Sequence, residues 1–151
     1  VSSETFSEIK NELSRLHKLL DTYQTLFDHV QTENPSAVEL LALAGILHTF
    51  YSGLENIFKR IAIEIDGGFA KTESWHMDLL VNMIVPTDKR IAVISPELKR
   101  RLQFYLGFRH VFRGMYSYDL NWSKMKTLVI ESKEILGLVE KELTDFMKTF
   151  A

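Results

Sequence analysis

Residues 98–113 hold five basic side chains, Lys99, Arg100, Arg101, Arg109 and Arg113, together with His110 and no acid. The chain as a whole sets 18 basic against 20 acidic residues, a net charge of −2, so this concentration stands out against its background. Guanidinium binds phosphate in bidentate fashion, and imidazole moves a proton near neutral pH. The concentration therefore suits a phosphate site built at or beside an interface, with Arg113 and Lys99 as phosphate ligands. The overall charge excludes broad wrapping of nucleic acid, which needs a strongly basic protein.

Three other positions carry functional groups among apolar neighbours. Glu55 lies on an otherwise apolar stretch and can pair with Arg109 or Arg113, orienting a guanidinium. His48 and His76 read as packed residues with satisfied hydrogen bonds. Cysteine is absent, which removes disulfides, thiolate metal sites and a thiol nucleophile. No glycine-rich phosphate loop, paired-carboxylate motif or metal-ligand cluster is present, so neither a cofactor nor a metal is expected.

The elements that must position these residues are helices. Hydrophobic residues make up 46% and charged residues 25% of 151 residues, a globular composition sized for one domain over residues 1–151. Only 7 glycines and 3 prolines interrupt it, too few for a sheet protein with many tight turns. Apolar residues recur every three or four positions from Phe6 to Val30, from Ala37 to Ile65, from Thr72 or Ser74 to Ile84, from Ser95 to Tyr116, and from Met125 to Phe150. Ile91-Ala92-Val93-Ile94 has no partner strand and reads as a loop packed on the bundle. The spacing predicts an all-α antiparallel bundle of about five helices with short connections. No apolar run approaches the ~18 residues of a membrane span, and the N-terminus lacks a signal pattern. A cytoplasmic protein with no membrane partner is expected.

On the fourth helix, Phe104, Phe108, Val111, Phe112 and Met115 share one arc, the expected core face. The opposite arc carries Leu98, Leu102, Tyr105, Leu106, Arg109, Arg113 and Tyr116. Arginine and tyrosine mixed with leucine are favoured in interfaces, so this arc is expected to meet a second copy of the chain. A merely solvated basic face is the alternative and predicts a monomer.

The segment Phe108-Arg109-His110-Val111-Phe112-Arg113-Gly114-Met115-Tyr116-Ser117-Tyr118-Asp119-Leu120-Asn121-Trp122 is similar to the signature segment of HepT-like proteins of the HEPN superfamily. Supporting stretches run from His48 to Ala62, at Trp75-His76 and at Pro96-Glu97. The resemblance implies a compact helical toxin that pairs with an MNT-type nucleotidyltransferase antitoxin. It further implies a metal-independent ribonuclease whose arginines and histidines share one cleft in a homodimer. The family signature is Arg, four to six residues, then His, often followed after one residue by Tyr. Arg109 aligns with its arginine and Tyr116 with its tyrosine, which resembles a target for nucleotide transfer from the partner. Gly114 stands where the catalytic His is expected, and His110, one turn earlier, is the weak substitute. Two functions follow: a ribonuclease toxin compromised at Gly114, or a non-catalytic module that dimerises and binds a nucleotidyltransferase or nucleotide.

Overall fold

The structure is a computed structural model and describes residues 2–150. It is all-helical, with no strand among the described residues. The helices are α1 (Ser3–Thr22), α2 (Gln24–His29), α3 (Ala37–Glu64), α4 (Trp75–Asn82), α5 (Pro96–Phe112) and α6 (Trp122–Lys148), with a 3-10 turn over Ser117–Asp119. Helix α3 is the centre of the bundle, in contact with α1, α4, α5 and α6.

The expected first helix divides in two. The Thr22 hydroxyl donates to the Lys18 carbonyl at 2.6 Å, a back-bond that competes with the backbone and bends helices. Tyr23 then leaves the helical region, with φ −106° and ψ 20°, and α2 begins one residue later. Side-chain caps start the three long helices that follow: Ser36 and Glu39 form a reciprocal capping box for α3, Ser95 accepts from the Leu98 amide at α5, and Asn121 accepts from the Ser123 amide at α6. At the far end of α3, Gly67 and Gly68 take φ of 88° and 129°, a turn that a side chain would strain.

Helix α3 corrects one expectation. Its length and a mean hydropathy of 1.4 over 18 residues would suffice to cross a membrane. Here its apolar residues are spent on the bundle: Leu43, Leu47, Phe50, Leu54, Ile57, Phe58 and Ile61 are all buried. Against it, Ile9, Leu13, Leu16 and Leu20 supply the buried stripe of α1. Gly53 allows this approach, since a Cβ there would fall 2.5 Å from Leu16 Cδ2.

Residues 86–95 form the expected packed loop. Val93 and Ile94 are buried, and both of their amides donate to the Met83 carbonyl. Arg90 clasps the loop to the bundle with all five of its N–H donors. Nε and Nη2 grip the two Asp66 oxygens at 2.8 and 2.9 Å, Nη1 donates to the carbonyls of Val85 and Ile91, and Nη2 also donates to that of Asn82. The guanidinium thereby satisfies carbonyls left open beyond α4, where a cation is favoured. Its side chain is 1% exposed, so removing either partner strands a buried charge. Arg90→Ala is expected to lower the unfolding free energy by ~3–5 kcal/mol in urea titrations, and Arg90→Lys to recover only part, lacking the planar fork.

Candidate functional site

Helix α5 presents its two apolar arcs the other way round from the sequence expectation. Leu98, Leu102, Tyr105, Leu106 and Arg109 are the buried ones, packed toward α3, with Tyr105 tilted on Phe50 at 5.4 Å. The Tyr105 hydroxyl donates to the Leu128 carbonyl of α6 at 2.7 Å. Burial pushes this phenol well above its ordinary range, with Glu131 adding to the rise. Of the arc expected in the core, Phe104 and Val111 face outward, 69% and 55% exposed, while Phe108, Phe112 and Met115 are half-buried at its edge. Phe104 and Val111, with Phe108 and Met115, line an open groove of about 1070 Å³ between α5 and α6. The reason is that both arcs are apolar, so the pattern of α5 alone does not say which one α3 will cover. The buried arc wins because it carries Tyr105 and Arg109, whose polar ends find partners on α6 and α3.

Arg109 is the centre of a buried polar cluster. Its Nη2 donates to Glu55 Oε2 at 2.8 Å, and its Nη1 donates to Ser52 Oγ at 3.1 Å. Both charged side chains are 6% exposed. The guanidinium lies over the Tyr51 ring, 5.0 Å from its centre, a favourable cation–π placement. Burial, and next the Glu55 charge, hold the Tyr51 hydroxyl far above its usual range. Among the described residues this hydroxyl is the buried side-chain polar atom without a partner. His76, at the start of α4, completes the cluster: its Nδ1 is 2.7 Å from Glu55 Oε2 and 3.0 Å from Arg109 Nη2. Three elements, α3, α4 and α5, are thus joined through one guanidinium.

The structure brings Glu55 and Arg109 together and adds His76, which the sequence reading treats as a packed residue. Its only sequence signal is the Trp75-His76 pair opening a helix. The other candidates lie apart from this cluster. His110, Arg113, Gly114 and Tyr116 are exposed around the C-terminal end of α5. The pattern runs this helix to Tyr116 with Gly114 inside it; instead α5 ends at Phe112 and Gly114 lies beyond it. Its amide donates to the Val111 carbonyl in a closing turn. Tyr116 is 71% exposed and stacks with parallel planes on Tyr118 at 5.5 Å. Lys99 sits in the first turn of α5 and donates to Gln103. Fourteen residues separate it from Arg113, about 21 Å along a helix, so these two do not share a phosphate site. Arg100 and Arg101 belong to that distant end too, and Arg101 is paired with Glu131 and Glu134. No cluster able to hold a metal ion occurs among the described residues.

A model of HepT-like proteins matches residues 42–150, and the chain belongs to that family, within the HEPN superfamily. The match begins inside α3 and takes in every residue of the Arg109 cluster. No curated protein and no solved structure matches the chain.

His48, one helical turn before Ser52, packs edge-on against Phe112 with ring centres 6.0 Å apart. Burial, then the nearby charges of Arg109 and Arg113, lower its pKa below the ordinary histidine value. An imidazole that resists protonation in the fold but not in the unfolded chain makes stability fall as pH drops below ~6.5, until the folded form also protonates. Ring-proton chemical shifts are expected to report a His48 midpoint below the ordinary histidine value of ~6.5. Replacing His48 by Gln is expected to flatten the acid-side loss of stability.

Proposed function

We propose that this chain is the toxin component of a HEPN toxin–antitoxin pair, active on RNA as a homodimer and partnered by an MNT-type nucleotidyltransferase. The observation that carries this reading is the outward row of Phe104, Phe108, Val111 and Met115 along the α5–α6 groove. Contiguous apolar surface of this kind is usually covered by a partner. An isologous contact through this row makes the same surface serve both copies, and it runs into the exposed Arg113, His110 and position 114. Two such ends facing one cleft supply fixed cations for a phosphodiester and expose position 114 to it. The dimer face is therefore the arc opposite to the one expected from the sequence, while the basic end of α5 keeps its role.

Cleavage through the RNA's own 2′-hydroxyl needs a proton-transfer group, and position 114 has none. The activity proposed for the chain is accordingly lower than with His at that position, and Tyr116, well exposed beside the cleft, is the acceptor for nucleotide transfer from the partner, whose added charge blocks RNA. The reading of a non-catalytic dimerising module is favoured by the bare Gly114 and makes a different prediction. A Cβ at Gly114 meets nothing within 4 Å, so Gly114→His begins its side chain in open space. On a single-stranded RNA it is expected to cleave ~100-fold faster than the chain as it stands, the lower range for a positioned acid or base. Dimers that cleave no RNA with either residue point to the non-catalytic module. In sedimentation, the chain is expected to run as a dimer and Phe104→Glu/Val111→Glu as a folded monomer. A monomeric parent chain overturns the proposed interface.

A further inference from the structure

We infer that His76, fixed by Glu55 against the Arg109 guanidinium, is the proton-transfer group that gives this chain its RNA cleavage; this rests on the ribonuclease reading above. The hydrogen between Glu55 Oε2 and His76 Nδ1, 2.7 Å apart, belongs to the nitrogen, because the same carboxylate oxygen also accepts from Arg109 Nη2. Nδ1 therefore donates to Glu55, and its 3.0 Å approach to Arg109 Nη2 is the packing of two donors around one acceptor. That assignment leaves the lone pair on Nε2. Nε2 makes no hydrogen bond to the described residues, and the side chain is 29% exposed, so this nitrogen is open to a substrate proton. The ring cannot turn freely, being stacked on Trp75 at 3.6 Å.

A carboxylate that orients an imidazole, with the opposite nitrogen free, is the arrangement that prepares histidine as a base. What distinguishes His76 from an ordinary buried histidine is its companion. It touches the motif guanidinium, of which the Nε hydrogen, one Nη1 hydrogen and, with Nδ1 itself a donor, the second Nη2 hydrogen have no acceptor among the described residues. A phosphate oxygen that reached one of those donors would bind the same guanidinium that the imidazole touches. The charged groups facing the ring are Glu55 from α3 and Arg109 from α5. Lys59 and Lys71 lie beyond, over the Trp75 ring at 5.8 and 6.0 Å.

In the step assigned to it, Nε2 takes the proton of the 2′-hydroxyl as that oxygen bonds to phosphorus. The bond from phosphorus to the 5′-oxygen breaks, and the leaving oxygen keeps the electron pair and takes a proton from solvent. The products are a 2′,3′-cyclic phosphate and a 5′-hydroxyl end, and the imidazolium returns its proton to solvent. Glu55 is a positioning residue in this step.

The test compares the full chain with His76→Asn, whose side-chain amide keeps a donor to Glu55 and lacks Nε2, and with Gly114→His, all on one single-stranded RNA across pH. His76→Asn is expected to melt within a few degrees of the parent. It is expected to cleave ~100-fold more slowly and to lose the acid limb of the rate profile that the parent shows. Nitrogen-correlated NMR of the parent ring is expected to find the neutral form protonated at Nδ1. Equal cleavage by parent and His76→Asn, or a neutral ring protonated at Nε2, overturns the inference. Cleavage by Gly114→His alone, with an inert parent, overturns it while leaving the ribonuclease reading intact. Inert RNA with all three chains overturns both.

Discussion

Everything around the candidate site depends on a guanidinium taken out of water. Arg109 and Glu55 are both buried, and a buried ion pair holds only where its remaining polar atoms also find partners. Ser52 supplies one on α3, and His76 supplies a neighbour on α4. These requirements set the rotation of α5 about its own axis, since no other rotation brings the Arg109 head to Glu55. They also set the position of α4, which is only eight residues long and too short to be stable by itself. Packing of Leu79 and Leu80, both buried, does the rest.

Once α5 is turned so that Arg109 points inward, its other arc has to point out. The exposure of Phe104 and Val111 is the direct consequence of burying an arginine, and the apolar groove against α6 follows from it. The interaction that organises the inside of the monomer therefore also creates the surface on which a second copy is proposed to dock. It further separates the two arginines of the signature segment: Arg109 serves the interior and Arg113 the exterior, although they are one helical turn apart.

The segment preceding the family match has a different task. Helix α1 lays Ile9, Leu13, Leu16 and Leu20 on α3, with Leu16 seated over Gly53. Phe6 meets Phe150 edge-on at 5.5 Å, tying the start of α1 to the end of α6. Arg90, which exhausts its five donors, holds the loop between α4 and α5, as Arg109 joins the helices through Glu55 and Ser52. Two buried arginines, one for the loop and one for the helix faces, thus fix how α4 and α5 meet α3.

The spacing of apolar residues, with Ser36, Ser95 and Asn121 as caps and Gly67-Gly68 as a stop, by itself determined that the chain is helical and where most helices begin. Those are local effects, decided by side chains within a few residues of the backbone they act on. The segment around Arg109 likewise sufficed to place the chain in its family. Which arc of α5 faces inward was not local, because Phe104, Phe108 and Val111 on one side and Leu102, Tyr105 and Leu106 on the other are equally apolar. Only the tertiary structure decided it, through acceptors that lie 54 and 23 residues away in sequence, Glu55 for Arg109 and the Leu128 carbonyl for Tyr105. His76 became legible for the same reason: an imidazole acquires a fixed tautomer and a free nitrogen only from partners that folding brings to it.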